Sequence, residues 1–167
     1  MTYSIAQLNE MTEAEFVSAL GHLFENTPDI ARQVWQSRPF ADVEALYQQM
    51  EDAVFLLDDE AKIALIQAHP DLGSKVKMTD ASVQEQAGVG LDRLTSEEFD
   101  RFQTLNQTYQ ERFGFPFVIA VRNQTKESIL AAFDRRLKNP IDTEVDQALE
   151  EITKIAEFRL HDLVESI

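Results

Sequence analysis

Cysteine is absent from this 167-residue chain. Disulfides, cysteine-ligated zinc and thiol nucleophiles are therefore excluded, and the absence fits a reducing compartment. No apolar run approaches the length of a membrane span. The N-terminal MTYSIAQLNEM has neither a basic n-region nor an apolar h-region, so no signal peptide is expected. VESI at the other end matches no retention or peroxisomal signal. Positive charge is also scarce: 15 Lys and Arg face 30 Asp and Glu, for a net charge of −15. Such a surface repels phosphate backbones and anionic lipid, which weighs against nucleic-acid and membrane partners. There is no Gly-rich phosphate loop and no H-E-x-x-H pair. The three histidines are too scattered for a dedicated metal site. A soluble cytoplasmic protein without a bound metal is the expectation.

What is present is the balance of a folded domain, with 44% hydrophobic and 27% charged residues and eleven phenylalanines. The length suits one domain with a sizeable core. Gly and Pro number five each, and they fall at punctuation points between amphipathic, capped segments. Thr12 with Glu15 is a capping-box pattern opening a helix through about Phe24. Thr27-Pro28-Asp29 opens the next, with Pro at the first helical position. Asp42 starts a third, and Asp58 or Asp59 a fourth that stops at His69-Pro70. Residues 70–81 read as a loop. Ser82 with Glu85 repeats the capping box, and a turn follows at Gly88-Val89-Gly90. Thr95 or Ser96 opens a long helix that Gly114 closes. Phe115 to Val121 form a short extended apolar segment. Thr125 opens a helix that Asn139-Pro140 ends, and the last helix runs from about Thr143. No repeat or linker interrupts the chain, so the fold class is all-α, a single multi-helix domain.

Four places depart from the plain helical pattern. Pro70 forbids continuation of the helix and biases His69 toward an extended backbone. His69 is either a dipole-stabilised helix terminus or a general acid or base. The segment Ser82-Val83-Gln84-Glu85-Gln86 is either a capping box or a polar wall whose first-turn N–H groups and side chains meet a ligand. On the final helix, Val145, Leu149, Ile152, Ala156, Leu160, Leu163 and Ile167 form one apolar stripe. Arg159 falls on that stripe or at its edge. A core-facing arginine must be paired. Its partner is a protein carboxylate or, in the other reading, a substrate carboxylate gripped by its planar fork; a snorkelling arginine at the stripe's edge is the third reading. Last, Phe115 to Val121, including Phe117-Val118-Ile119-Ala120-Val121, read as a buried extended segment or an apolar helix start, or as a run of N–H groups outside any helix. Those groups need partners and can stabilise negative charge on a ligand oxygen. His22 reads as structural within an apolar helix stretch, and His161 as solvated on the polar face beside Glu157.

Taken in order, HPDL (His69 to Leu72), S-x-x-EQ (Ser82 to Gln86), FGFPFVI (Phe113 to Ile119) and EITKIAEFRL (Glu150 to Leu160) resemble the 2-oxo-4-hydroxy-4-carboxy-5-ureidoimidazoline (OHCU) decarboxylase family of urate degradation. The resemblance covers essentially the whole chain. It implies an all-α, often homodimeric enzyme that converts OHCU to (S)-allantoin without metal or organic cofactor. It implies His69 as the catalytic histidine with Pro70 beside it, and Glu85 and Arg159 as further catalytic groups. Ser82 to Gln86 and Phe117 to Val121 match the two substrate-binding segments, the second acting largely through backbone. Two departures lie in loops: Gly73-Ser74 stand where the family has Ala-Gly, and Ala87-Gly88-Val89-Gly90-Leu91 stand where it has Ala-Gly-Leu. Two rival readings are a non-catalytic acidic helical interaction domain and a ring-opening hydrolase of purine breakdown. Whether His69, Glu85 and Arg159 converge on one pocket separates the enzyme from the interaction domain.

Overall fold

Local capping chemistry sets most helix starts in the computed structural model, which describes residues 2–24, 27–72, 80–91 and 93–165, with residues 80–83 as backbone only. Ser4 opens α1 (Ile5–Glu10) through a reciprocal capping box with Gln7. Thr12 does the same with Glu15 for α2 (Glu13–Leu20), and Pro28 stands at the N-cap of α3 (Asp29–Trp35). Asp42 caps α4 (Val43–Phe55), and Asp58 caps α5 (Asp59–Gln67). After α6 (Asp80–Gly88), Thr95 caps α7 (Ser96–Phe113) and Thr125 caps α8 (Lys126–Arg136). Pro140 precedes α9 (Ile141–Leu163). A side-chain oxygen that accepts an orphan N–H at a helix start gives a partner to a donor the helix itself leaves unpaired, which is why these starts follow Ser, Thr and Asp.

The all-α expectation holds: every regular element among the described residues is a helix. Several boundaries differ from the sequence reading. The capping box at Ser4 and Gln7 marks a helix over Ile5–Glu10 that hydrophobic pattern alone did not indicate. α2 ends at Leu20 instead of Phe24, so His22 lies in a turn between buried Gly21 and Leu23 and not inside a helix. α9 begins at Ile141, two positions earlier than Thr143. The segment at Ser82 is corrected more substantially. α6 already starts at Asp80, so Ser82 sits inside its first turns and is not the N-cap. The side chains of Ser82 and Val83 lie outside the described residues, as do Gly73, Ser74 and Ile167.

α9 is the axis on which the site depends. It packs against α4 and α5, while α2 packs on α3 and α3 on α4. Its buried face carries Ala148, Leu149, Ile152, Ala156 and Leu160, with Arg159, Glu144 and Glu151 buried among them. Tyr3 and Val164 form a parallel bridge that ties the start of the described chain to the end of α9. Between α7 and α8 the chain leaves helical structure. Gly114 adopts φ +81, a left-handed cap that side chains disfavour, and residues 115–121 then run non-helical and wholly buried. Phe117 stacks on Phe133 of α8 at 3.8 Å between ring centres, and Tyr109 of α7 meets its edge at 5.2 Å. These aromatic contacts bury the segment's side chains and anchor it to two helices.

Candidate active site

α5 delivers His69. Beyond its C-cap Ala68 the backbone tightens, with the His69 N–H donating to Ile66 O at 3.1 Å. The ring lies 2.9 Å from Leu65 O through Nδ1. A carbonyl can only accept, so Nδ1 carries the hydrogen, and in the neutral imidazole the lone pair resides on Nε2. His69 is buried, with 8% exposure. Pro70 follows it at the helix stop, and Leu72 O is clamped by Asn106 Nδ2 of α7 at 2.9 Å.

α9 delivers Arg159 from its buried face, as the helical phase of the apolar stripe predicts. Its Nε donates to Glu85 Oε2 at 2.9 Å and its Nη2 to Glu85 Oε1 at 2.8 Å. Nη1 donates to Leu23 O at 3.2 Å. Of the three readings open for this residue, the structure shows the protein carboxylate, supplied by α6. Gln86 is buried on the same helix, whereas Gln84 is exposed.

The third wall is the stretch 117–121. His69, Pro70, Leu72, Glu85, Gln86, Phe117, Val118, Ile119, Val121, Ile155 and Arg159 line one cavity of about 30 Å³. His69, Glu85 and Arg159 therefore converge, which is the arrangement the enzyme reading requires. Ala120 alone of the five segment residues is absent from this lining. A second cavity of about 400 Å³ abuts the first and shares Glu85 and Arg159 with it; His22, Gln84, Arg122, Asn123 and Asp162 are among its other walls. The Glu85–Arg159 pair is the partition between the two cavities.

Sequence reasoning missed the outer wall. Arg122 pairs with Asp162 at 2.6 Å, an interaction that raises the arginine's already high pKa. Asn123 holds φ +67, a left-handed conformation that Asn tolerates better than most residues, and that residue preference was the available signal. Ile155 stands four positions before Arg159 on one helix face, so its presence was legible from spacing. His22, read as structural, lines the outer cavity; burial and the nearby Arg159 guanidinium hold its pKa below the ordinary histidine value. Among the described residues no cluster of three or more His, Cys, Asp or Glu is arranged to hold a metal ion. No helix of the described residues is long and apolar enough to cross a membrane.

Fold and site together define an all-helical domain with a histidine, a carboxylate and an arginine gathered against bare backbone. The chain belongs to the OHCU decarboxylase family, whose sequence model matches residues 9–161. The 2-oxo-4-hydroxy-4-carboxy-5-ureidoimidazoline decarboxylase of Haloferax volcanii is 43% identical over 157 residues, covering 94% of each chain. The uric acid degradation bifunctional protein of Bacillus sp. (strain TB-90) is 45% identical over 159 residues, and the chain spans 95% of its own length but only 32% of that relative. The crystal structure of (S)-allantoin synthase superposes with a TM-score of 0.77 at 30% identity, covering 96% of this chain and 54% of that one.

Proposed function

We propose that this protein decarboxylates OHCU to (S)-allantoin, acting in the cytoplasm as a homodimer and without metal or organic cofactor. The observation that carries the reading is the convergence of His69, Glu85 and Arg159 on one cavity walled by residues 117–121, in a chain of the OHCU decarboxylase family.

The chemistry asks little beyond placement and proton control. The bond from the ring carbon to its carboxylate breaks and CO2 leaves. The electron pair spreads into the ring as an enolate, so no external electron sink is needed. Protonation on one face then sets the configuration of allantoin. One proton is consumed overall, because the carboxylate's negative charge leaves as neutral CO2.

Each wall has a task in that sequence. His69 Nε2 takes the proton of the substrate hydroxyl, whose oxygen becomes the product carbonyl, and delivers it to the neighbouring ring carbon that bears the ureido arm, while the ring nitrogen that received the electron pair takes the one proton consumed from solvent; an imidazole can serve as such a shuttle. Glu85 accepts N–H groups of the ureido arm or ring, with Gln86 and Gln84 beside it. Arg159 keeps Glu85 aimed through two parallel hydrogen bonds. Backbone N–H groups of 117–121 stabilise charge on the developing enolate oxygen. Pro70, Ser82 and Val83 complete the substrate contacts.

The test generates OHCU in place from urate and follows circular dichroism with and without EDTA. The expected result is faster appearance of optically active allantoin, unaffected by the chelator. A rate no greater than that of buffer rejects the activity, and light scattering at micromolar protein decides the dimer.

A further inference from the structure

Glu151 is a carboxylate on α9 with 5% exposure, about two helical turns before Arg159, and it has no part in the chemistry above. A carboxylate that deep in a protein is strongly unfavourable unless its oxygens are occupied. Its two oxygens are divided between two directions. Oε2 faces outward to Lys154 Nζ at 2.9 Å and Gln147 Nε2 at 3.4 Å, and the lysine is half exposed. Oε1 faces inward and accepts the backbone N–H of Ala120 at 3.3 Å. A second tether lies two residues earlier on the same stretch. Arg136 of α8 donates from Nη1 to Val118 O at 2.7 Å, and is itself held by Glu144 of α9 at 2.8 Å. Tyr109 and Asn139 donate to the same Glu144, at 2.6 and 2.9 Å.

Along an extended stretch, successive residues present their N–H and C=O groups to opposite sides. Val118 and Ala120 are in phase with each other, and both are tied to the α8–α9 side. In an extended run Ile119 and Val121 fall in the opposite phase, and neither tether takes their N–H groups. The cavity lining includes Phe117, Val118, Ile119 and Val121 and omits only Ala120, the residue whose N–H Glu151 takes.

We propose that Glu151 is a positioning residue: by holding the Ala120 N–H it locks the phase of the stretch, so that the amides of Ile119 and Val121, and not that of Ala120, are the donors presented to substrate. This rests on the reading of 117–121 as a substrate wall. A donor aimed at developing charge works only when its direction is set before the reaction, because reorienting it during the reaction would consume the stabilisation it offers. An acceptor fixed on a rigid 23-residue helix supplies that direction.

The experiment compares Glu151→Gln, Glu151→Asp, Glu151→Met and Lys154→Met. Gln keeps an oxygen at the reach of Oε1. Asp keeps the charge but withdraws it by one methylene, and Met removes the acceptor. Steady-state kinetics on OHCU should show Glu151→Asp and Glu151→Met reducing kcat by about tenfold or more with KM changed less than about threefold. Glu151→Gln should restore most of kcat, and Lys154→Met should match wild type. Amide hydrogen exchange provides an activity-independent readout: Ala120 N–H should lose protection in the Asp and Met variants and keep it in Gln. Should the Met variant fail to fold, the Gln and Asp pair carries the comparison. Wild-type kcat in Glu151→Asp, or a loss in Glu151→Gln as deep as in Glu151→Asp, overturns the proposal. Absence of decarboxylation in the wild-type enzyme overturns the functional reading instead, while the exchange pattern still decides whether Glu151 holds Ala120.

Discussion

Arg159 and Glu85, 74 positions apart in the chain, are joined by two nearly parallel hydrogen bonds of 2.9 and 2.8 Å. The arginine side chain is 5% exposed and the glutamate 18%. Neither charge can rely on bulk water, so each stabilises the other, and two carbonyls of the turn after α2 take up the remaining arginine donor. The pair links α6 to α9 and divides the inner cavity from the outer one.

Removing one member strands the other. Arg159→Met should destabilise the protein by about 3 kcal/mol, the range found when one partner of a buried pair is deleted. Combining it with Glu85→Gln should recover part of that loss, because the uncompensated carboxylate is then gone. Urea midpoints of the four members of the cycle measure the coupling. Strict additivity would show that the pair is not energetically linked.

The proton-transfer role assigned to His69 predicts that His69→Asn lowers kcat by about 10²–10⁴-fold. Asn retains a donor that can bond to Leu65 O but has no titratable lone pair. The remaining product should lose optical purity, as uncatalysed protonation reaches both faces. Rate and circular dichroism recorded together check both parts; unchanged rate and chirality would remove His69 from the mechanism.

His22 reports on the outer cavity. Its pKa is held down first by burial and then by Arg159. Arg159→Met should move the His22 titration upward by NMR, but only part of the way, because burial remains. The folded state resists a proton that the unfolded chain accepts near pH 6.5. Wild-type stability is therefore lost, relative to His22→Asn, as pH falls from that value through the folded pKa. Chemical denaturation across pH 5–8 tests the sign.

Asp71, two residues after His69, has its pKa raised by burial. Its Oδ1 is a buried acceptor without a hydrogen-bond partner among the described residues. The folded state therefore favours the protonated acid, and stability present below the ordinary aspartate pKa of about 4 is lost as pH rises through the elevated folded value. Asp71→Asn should raise Tm at pH 7, with the gain shrinking to nothing below about pH 4. A Tm difference that does not vary with pH would contradict this.

The split between what was readable and what was not follows interaction range. Thr12, Asp42, Asp58, Thr95 and Thr125 mark helix starts because a cap bonds to an N–H three residues on, so pattern and contact lie in one short window. The same rule misled at Ser82 and Glu85: the spacing was right, but α6 begins upstream at Asp80, and a cap-like pair inside a helix looks identical in sequence. Helical phase placed Arg159 on the buried face, since the angle per residue is fixed by backbone geometry.

The sequence by itself determined the all-α class, most helix boundaries, the stop at His69-Pro70, the apolar segment after Gly114 and the place of Arg159 on or beside the apolar stripe. Only the tertiary structure decided which carboxylate pairs with that arginine, that Glu151 holds Ala120, that Arg136 holds Val118, and that His22 faces a cavity. Each of those is a contact between distant positions. Thirty acidic residues offer themselves to one arginine, and nothing local distinguishes them; the choice is made when helices pack and only one carboxylate is carried within hydrogen-bond reach.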